Sequence, residues 1–384
     1  MIVKKYRRED NIMLAKFEVK NFKNFKNQLI FDFTNTKNYK FNQDAIDNGI
    51  VKTSLIYGHN GVGKSNLGFA IFDIISHLTD KNFNSDKYDY YLSADSEEKY
   101  AIFVYEFKFD KDLVRYKYIK SDFQTIILEE LYINSKLYAF VDKRESTIAQ
   151  INAIGADTLK RDIGNSNISI LTYILTNAIL NEEDKQNIAF KKMMNFVNNM
   201  LFFRSLERNR YLGFEQGVSS IDEDIISKNN VKDFEKFLNE MGVNCKLDIL
   251  EIDLLDTKEL VFDFGKKKVP FFSIASSGTR SLALFYYWFQ RLKEDKIKFV
   301  YIDEFDAFYH FQLSAKIINK LKELDIQTVV TTHNTSLITN SILRPDCYFL
   351  LNNNTIKSLA DRTDKELREA HNIEKMYKAG SFGF

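Results

Sequence analysis

Proline and cysteine each occur only twice in the 384 residues, at Pro270 and Pro345 and at Cys245 and Cys347. So little proline excludes proline-rich linkers, and domain boundaries must be read from hydrophobic pattern. Two distant cysteines make neither a disulfide framework nor a zinc-ligand spacing, which fits a reducing cytosol. Charge of one sign is lacking too: 54 Lys and Arg against 53 Asp and Glu leave a net charge of +1. No global basic field advertises nucleic acid, and only local patches remain as candidates. Long hydrophobic runs are missing: the longest, residues 282–289, falls far short of the ~20 residues a membrane-spanning helix requires. Met1-Ile2-Val3 is too short for a signal-peptide core. These absences lead to the expectation of a cytoplasmic chain with no membrane partner. The five histidines are scattered, without a metal-binding or HNH-type cluster. What is abundant is core material, 45% hydrophobic and 14% aromatic residues, enough for a chain of about two domains rather than a disordered one.

Along the chain the pattern changes twice. Residues 14–33 alternate Leu14, Phe17, Val19, Leu29, Phe31 and Phe33 about a turn-like Asn21-Phe22-Lys23-Asn24, predicting a β-hairpin. Residues 53–57 read as a short buried strand, residues 65–78 as a helix, and residues 100–138 as strands. Residues 144–244 lack strand alternation and space Ile168, Leu171, Ile174 and Leu175, and again Val231, Phe234, Phe237 and Leu238, at helical intervals. No heptad array is sustained there, so a long coiled-coil arm is not expected. Strands resume over 246–264. The expected division is an N-terminal lobe over 1–143, a mostly helical insertion over 144–244 and a C-terminal lobe over 245–384.

Four short segments carry the chemistry. Between the predicted strand and helix, Gly58-His59-Asn60-Gly61-Val62-Gly63-Lys64-Ser65 is a complete G-x-x-x-x-G-K-S loop. Gly58, Asn60, Gly61, Val62 and Gly63 would close backbone N–H groups around phosphates. Lys64 would reach the β and γ oxygens, and the Ser65 hydroxyl would coordinate Mg²⁺. An apolar run, 299–302, ends in Asp303-Glu304, a strand-tip acid pair in which Asp303 would hold Mg²⁺ and Glu304 would deprotonate the attacking water. Ser276-Ser277-Gly278 opens a predicted helix over 281–292, a second phosphate cradle. One chain needs a single cradle per nucleotide, so this one is expected to grip ATP bound to another copy. Finally residues 328–331 read as a short strand, and the segment Thr331-Thr332-His333-Asn334 at its end offers His333 to the γ-phosphate. The expected ligands are ATP and Mg²⁺, and the expected assembly is a homodimer or higher homo-oligomer with composite sites.

These segments, in this order, make the chain resemble ABC-type ATPases of the SMC/RecN/OLD branch. Within that branch it is similar to the compact AAA-family ATPases of bacterial anti-phage systems, such as RloA and the AriA subunit of PARIS. The resemblance rests on Phe17-Glu18-Val19-Lys20-Asn21-Phe22-Lys23-Asn24-Phe25, on the loop continued by Ser65-Asn66, on Ser276-Ser277-Gly278-Thr279, Ile302-Asp303-Glu304-Phe305-Asp306 and Thr332-His333-Asn334, and on the tail 372–383. It implies an α/β fold, a two-lobed P-loop head with a mixed β-sheet flanked by helices, and Mg²⁺-dependent ATP hydrolysis. It also implies that Lys23, Asn24 and Asn66 touch nucleotide. The sequence departs from the family at Ala275 and Ser277 in the signature segment, and at His310, where a transporter-type D-loop would have Asp. Gln124 is the candidate for the glutamine of the Q-loop. OLD-type nucleases add a Toprim domain after the histidine switch, and none is expected in the residues given beyond His333. Arg368 and His371 are too close for the Arg-x₄₋₆-His spacing of HEPN ribonucleases.

The expected role is therefore a sensor or scaffold of an anti-phage system that controls a separate effector nuclease. A RecF-like ATP-dependent DNA clamp stays open as the alternative, since Lys4-Lys5-Tyr6-Arg7-Arg8 and Lys266-Lys267-Lys268 are basic runs. Phe202, Phe203, Arg204, Arg208, Arg210 and Tyr211 form an aromatic-arginine cluster, read either as packing or as a partner-binding surface.

Overall fold

The computed structural model describes residues 12–79, 81, 88–109, 111–204, 211–213, 220–252, 257–294, 296–306, 309–352 and 355–383. Alternating apolar residues build the first lobe. Ile12–Lys20 (β1) and Leu29–Asp32 (β2) pair as the expected hairpin, with Phe17 opposite Phe31 and Val19 opposite Leu29, all fully buried. The turn after β1 is held by reciprocal backbone hydrogen bonds between Phe22 and Phe25 at 3.1 and 2.8 Å. Ile46–Asp47 (β3) and Ile50–Val51 (β4) form a small hairpin ahead of Thr53–Tyr57 (β5). Ala101–Phe109 (β6), Asp112–Lys120 (β7), Ile126–Ile133 (β8), Lys136–Asp142 (β9) and Gln150–Ile151 (β10) then extend the antiparallel sheet, ordered β10-β9-β8-β7-β6-β1-β2.

The second sheet is mixed. Its strands are Met200–Arg204 (β11), Tyr211–Gly213 (β12), Phe299–Asp303 (β16), Gln327–Thr331 (β17), Tyr348–Asn352 (β18) and Thr355–Ser358 (β19), in the order β12-β11-β16-β17-β5-β18-β19. The five central strands, β11 to β18 in that order, run parallel. The two-lobed α/β head expected from the sequence is the architecture found.

One expectation needs correcting. β11 lies inside the range read as a helical insertion, yet it is a strand of the central sheet, with Met200 opposite Phe299 and Phe203 opposite Ile302. Met200-Leu201-Phe202-Phe203 is a continuous apolar run, the pattern of a parallel strand buried on both faces. Phe202 and Phe203 are accordingly core residues, and Phe202 packs against Phe69, Phe72 and Tyr301. They offer no partner-binding surface. Arg208 and Arg210, the side chains of Arg204 and Tyr211, and the basic run at residues 4–8 lie outside the described residues. β10 and β12 also fall within that range, and its helices are Ile170–Asn177 (α2), Lys185–Asn198 (α3), Ile221–Ser227 (α4) and Val231–Glu240 (α5).

Lys64–Leu78 (α1) runs between the two sheets. A surface helix shows one apolar stripe, but twelve of the fifteen residues here are buried because both faces are covered. On one side Phe69 and Phe72 meet Phe202. On the other, the Tyr105 hydroxyl donates to the Ala70 carbonyl at 3.0 Å. Asp73, fully buried, accepts from the Tyr91 and Tyr118 hydroxyls and from Lys120 Nζ, each at 2.9 Å. A buried carboxylate is tolerated only with this full complement of donors. Lys120→Ala should therefore cost about 3–5 kcal/mol of unfolding free energy by leaving Asp73 buried without its cation, read from chemical denaturation of the two proteins.

The second lobe is completed by a small antiparallel sheet, Leu247–Ile252 (β13), Thr257–Asp263 (β14) and Lys268–Pro270 (β15), which packs with α4 and α5 against Ser277–Lys293 (α7), preceded by Phe271–Ile274 (α6). Arg291 on α7 makes a bidentate pair with Asp224 on α4 at 2.7 and 3.1 Å. Phe311–Lys322 (α8) follows β16, and Ile373–Lys378 (α9) closes the chain. Among the described residues no helix is long and apolar enough to cross a membrane.

Candidate functional site

The site forms where the parallel strands end. β5 delivers the chain into the Gly58–Ser65 loop, and the loop runs into α1. Gly63 has φ 106° and Gly61 φ 77°, a region closed to most side chains. A Cβ on Gly63 would lie 2.4 Å from Asn24 Nδ2, so glycine is needed for space as well as for conformation. α1 has no side-chain cap and no acidic residue in its first turn. Its first N–H groups and its positive dipole end are thus arranged for an anion. Lys64 is 6% exposed, and its Nζ donates to the Gly58 and His59 carbonyls at 2.8 and 3.3 Å. Burial holds the Lys64 ammonium below its ordinary pKa, while Glu304 and Asp303 pull it back up.

Two strands away, β16 ends in the acid pair. Asp303 is 2% exposed. Its Oδ2 accepts from Ser65 Oγ at 2.6 Å and its Oδ1 from Thr331 Oγ1 at 2.7 Å. The Thr331 hydroxyl also accepts the Glu304 backbone N–H at 2.8 Å. Glu304 is half-buried and has φ 51°, an uncommon conformation for a residue with a side chain. The Tyr301 hydroxyl donates to the Lys64 carbonyl at 2.7 Å, which ties the loop to β16. A hydroxyl and a carboxylate held together in this way are hard oxygen donors suited to Mg²⁺.

His333 follows β17. Burial and the nearby Lys64 hold its imidazole below the usual histidine pKa, against the pull of Asp303. Lys64, Asp303 and His333 are thus electrostatic neighbours. The loop bearing His333 is anchored on both sides: Thr332 Oγ1 donates to Asp306 Oδ2 at 2.6 Å, and the Tyr57 hydroxyl donates to the Asn334 carbonyl at 3.2 Å. From the tail, Tyr377 places its ring 6.2 Å from Tyr57.

The opening turn reaches the same place. Asn24 Nδ2 donates to the Val62 carbonyl at 3.0 Å, and Asn66 Nδ2 donates to Asn24 Oδ1 at 2.7 Å. Lys23 instead lays its ammonium 5.8 Å from the ring centres of Phe22 and Phe69. Asn60 and Gly61 are exposed on the loop surface.

Ser276, Ser277 and Gly278 are placed elsewhere. Ser276 caps α7, its Oγ accepting from the Thr279 N–H at 3.2 Å. Ser276 and Ser277 are exposed. Ser276 opens on a cavity of about 590 Å³ that it shares with Cys245, Phe262, Phe264 and Ile274, none of them from the phosphate loop. Gln124 is corrected as a Q-loop residue. It lines a cavity of about 220 Å³ with Ser76, His77 and Thr172 at the far end of α1, about 18 Å along the helix from Lys64 at ~1.5 Å per residue. His310 accepts the Leu313 N–H as the cap of α8. Sequence reasoning missed Thr331 and Tyr301 as parts of the site, although Thr331 was in view as the end of a strand.

A family model described as "AAA domain, putative AbiEii toxin, Type IV TA system" matches residues 54–339. No curated protein matches the chain. Among solved structures the chain is similar to an SMC head bound to the C-winged helix domain of ScpA, at 16% identity over 90% of this chain and 96% of that one, TM-score 0.48. It is also similar to the SMC head domain from Thermotoga maritima, at 15% identity over 90% and 97%, TM-score 0.44. A third is the Smc head with an extended coiled coil bound to the C-terminal domain of ScpA from Pyrococcus furiosus, at 14% identity over 90% and 96%, TM-score 0.46.

Proposed function

The chain belongs to this family of AAA-domain ATPases, and from that premise we propose that it hydrolyses ATP in a Mg²⁺-dependent reaction, as the sensor or scaffold of an anti-phage system that controls a separate effector. The observation that carries the hydrolytic part is the 2.6 Å hydrogen bond from Ser65 Oγ to Asp303, which joins the phosphate loop to the acid pair. Ser65 and Asp303 would hold Mg²⁺, which when bound neutralises charge on the β- and γ-phosphates. Gly58 to Gly63 cradle the phosphates, Lys64 exchanges its two loop carbonyls for phosphate oxygens, and Glu304 accepts the proton of the attacking water. His333, kept neutral, donates to the γ-phosphate. Ser276, Ser277 and Gly278 serve the ATP of a second copy, which makes the working unit a homodimer or a larger homo-oligomer.

The defence reading is supported by the family description, whose printed words are "putative AbiEii toxin, Type IV TA system", and by the sequence resemblance to RloA and the AriA subunit of PARIS. The effector is assigned to a second protein because the acids placed in this site are already engaged: Asp303 with Ser65 and Thr331, Asp306 with Thr332. Purified chain with ATP and Mg²⁺ should leave plasmid DNA and transfer RNA intact, and toxicity in cells should require a second gene. Robust cleavage by the chain alone, lost in a variant outside the ATPase motifs, would make the chain itself the toxin. The alternative, a DNA clamp, draws on exposed Lys266 and Lys267 at the β14–β15 turn. Salt-sensitive, ATP-dependent DNA binding in the same preparations, abolished by reversing those two charges, would favour it.

A further inference from the structure

The Thr331 hydroxyl makes two contacts at once. It donates to Asp303 Oδ1 at 2.7 Å and accepts the Glu304 N–H at 2.8 Å. Thr331 itself is fully buried at the end of β17. Glu304 turns into the left-handed region at φ 51°, a conformation that costs energy and persists only where neighbouring groups fix it. Asp303 is meanwhile held from both sides, by Ser65 on one oxygen and Thr331 on the other. A single side chain on the neighbouring strand thus fixes the carboxylate plane of Asp303 and the backbone turn from which the Glu304 carboxylate departs. The next residue, Thr332, binds Asp306, so the strand that leads to His333 is latched twice to the acidic tail of β16.

We propose that Thr331 is a positioning residue for ATP hydrolysis, setting Asp303 and Glu304 in register with the loop that carries His333. The inference rests on the reading of that pair as the acids of the ATPase. The hydroxyl touches neither phosphate nor water in this role, so its loss should act on turnover and leave nucleotide affinity alone. A displacement of about 1 Å at a reacting group costs on the order of 100-fold in rate.

The test compares Thr331→Val, which keeps the β-branched shape, with Thr331→Ser, which keeps the hydroxyl. Thr328→Val serves as the buried control, since that hydroxyl bonds only weakly to the Ile326 carbonyl, at 3.3 Å. Thr331→Val should lower kcat by about 10–100-fold with KM and equilibrium ATP binding unchanged, while Thr331→Ser and Thr328→Val stay close to the unmodified protein. A second readout needs no nucleotide. In Thr331→Val the Glu304 amide loses its acceptor, and its hydrogen exchange should speed up about tenfold, an effect absent in Thr331→Ser. Unchanged exchange at Glu304, a defect confined to ATP binding, or failure of Thr331→Ser to rescue would each overturn the proposal. An unmodified protein that binds ATP and never hydrolyses it would overturn the parent reading instead, and the exchange measurement would still decide whether Thr331 holds Glu304.

Discussion

Glu304→Gln should bind ATP as tightly as the unmodified protein and hydrolyse it about 10²–10⁴-fold more slowly, the usual worth of a positioned general base. Glutamine is nearly the same size and keeps the backbone N–H that Thr331 accepts, so the turn at φ 51° and the Ser65–Asp303 contact are expected to survive. Only the ability to take a proton is lost, and the protein should accumulate in an ATP-bound state. Lys64→Ala acts one step earlier. The ammonium sits buried among loop carbonyls, within the field of Asp303 and Glu304. Its removal takes away the charge that meets the β- and γ-phosphates and should abolish detectable nucleotide binding. Equilibrium binding of a fluorescent ATP analogue, together with single-turnover hydrolysis, separates the two variants. Hydrolysis by Glu304→Gln at the unmodified rate would show that another group is the base.

The phosphate loop was legible because its chemistry is local. Closing backbone N–H groups around an anion requires positive φ at Gly61 and Gly63, and only glycine adopts that freely, so the loop's conformation is written into adjacent residues. The acid pair was legible for a related reason, as a short apolar run ending in two carboxylates. β11 was not legible. Its partner in the sheet, β16, begins at Phe299, far along the chain, and a four-residue apolar run among asparagines and charges has no period to separate strand from helix. The same gap left Phe202 and Phe203 open between packing and a surface, and both are packing. The contact of Asn24 with Val62 and Asn66 joins two distant segments, and only the family resemblance placed Asn24 near nucleotide. Thr331 shows the limit most clearly. Its position at a strand end was plain, but its function lies in two hydrogen bonds across the sheet to β16, which no spacing along the chain encodes.

The geometry of Ser276 sets the remaining test. A helix cap that is exposed, and that opens on a cavity lined by Phe262, Phe264 and Ile274 rather than on the phosphate loop, can serve ATP only by meeting another copy. In an isologous dimer each site would then combine the Lys64 of one chain with the Ser276 of the other. Lys64→Ala and Ser276→Arg should each be inactive alone. Mixed in equal amounts, half of randomly formed dimers carry one chain of each kind, and in those dimers one site has both defects and the other has neither. About one quarter of the unmodified activity should return, as expected for a two-fold symmetric pair. Ser276→Arg also removes the acceptor of the Thr279 N–H, at a cost of about 1 kcal/mol, so its melting temperature is measured beside its activity. Recovery should appear only above the concentration at which the chains associate. A mixture no more active than the sum of its parts, with both variants folded, would exclude the shared site. So would unmodified protein that stays monomeric and fully active on dilution, because Ser276 would then have no phosphate to hold.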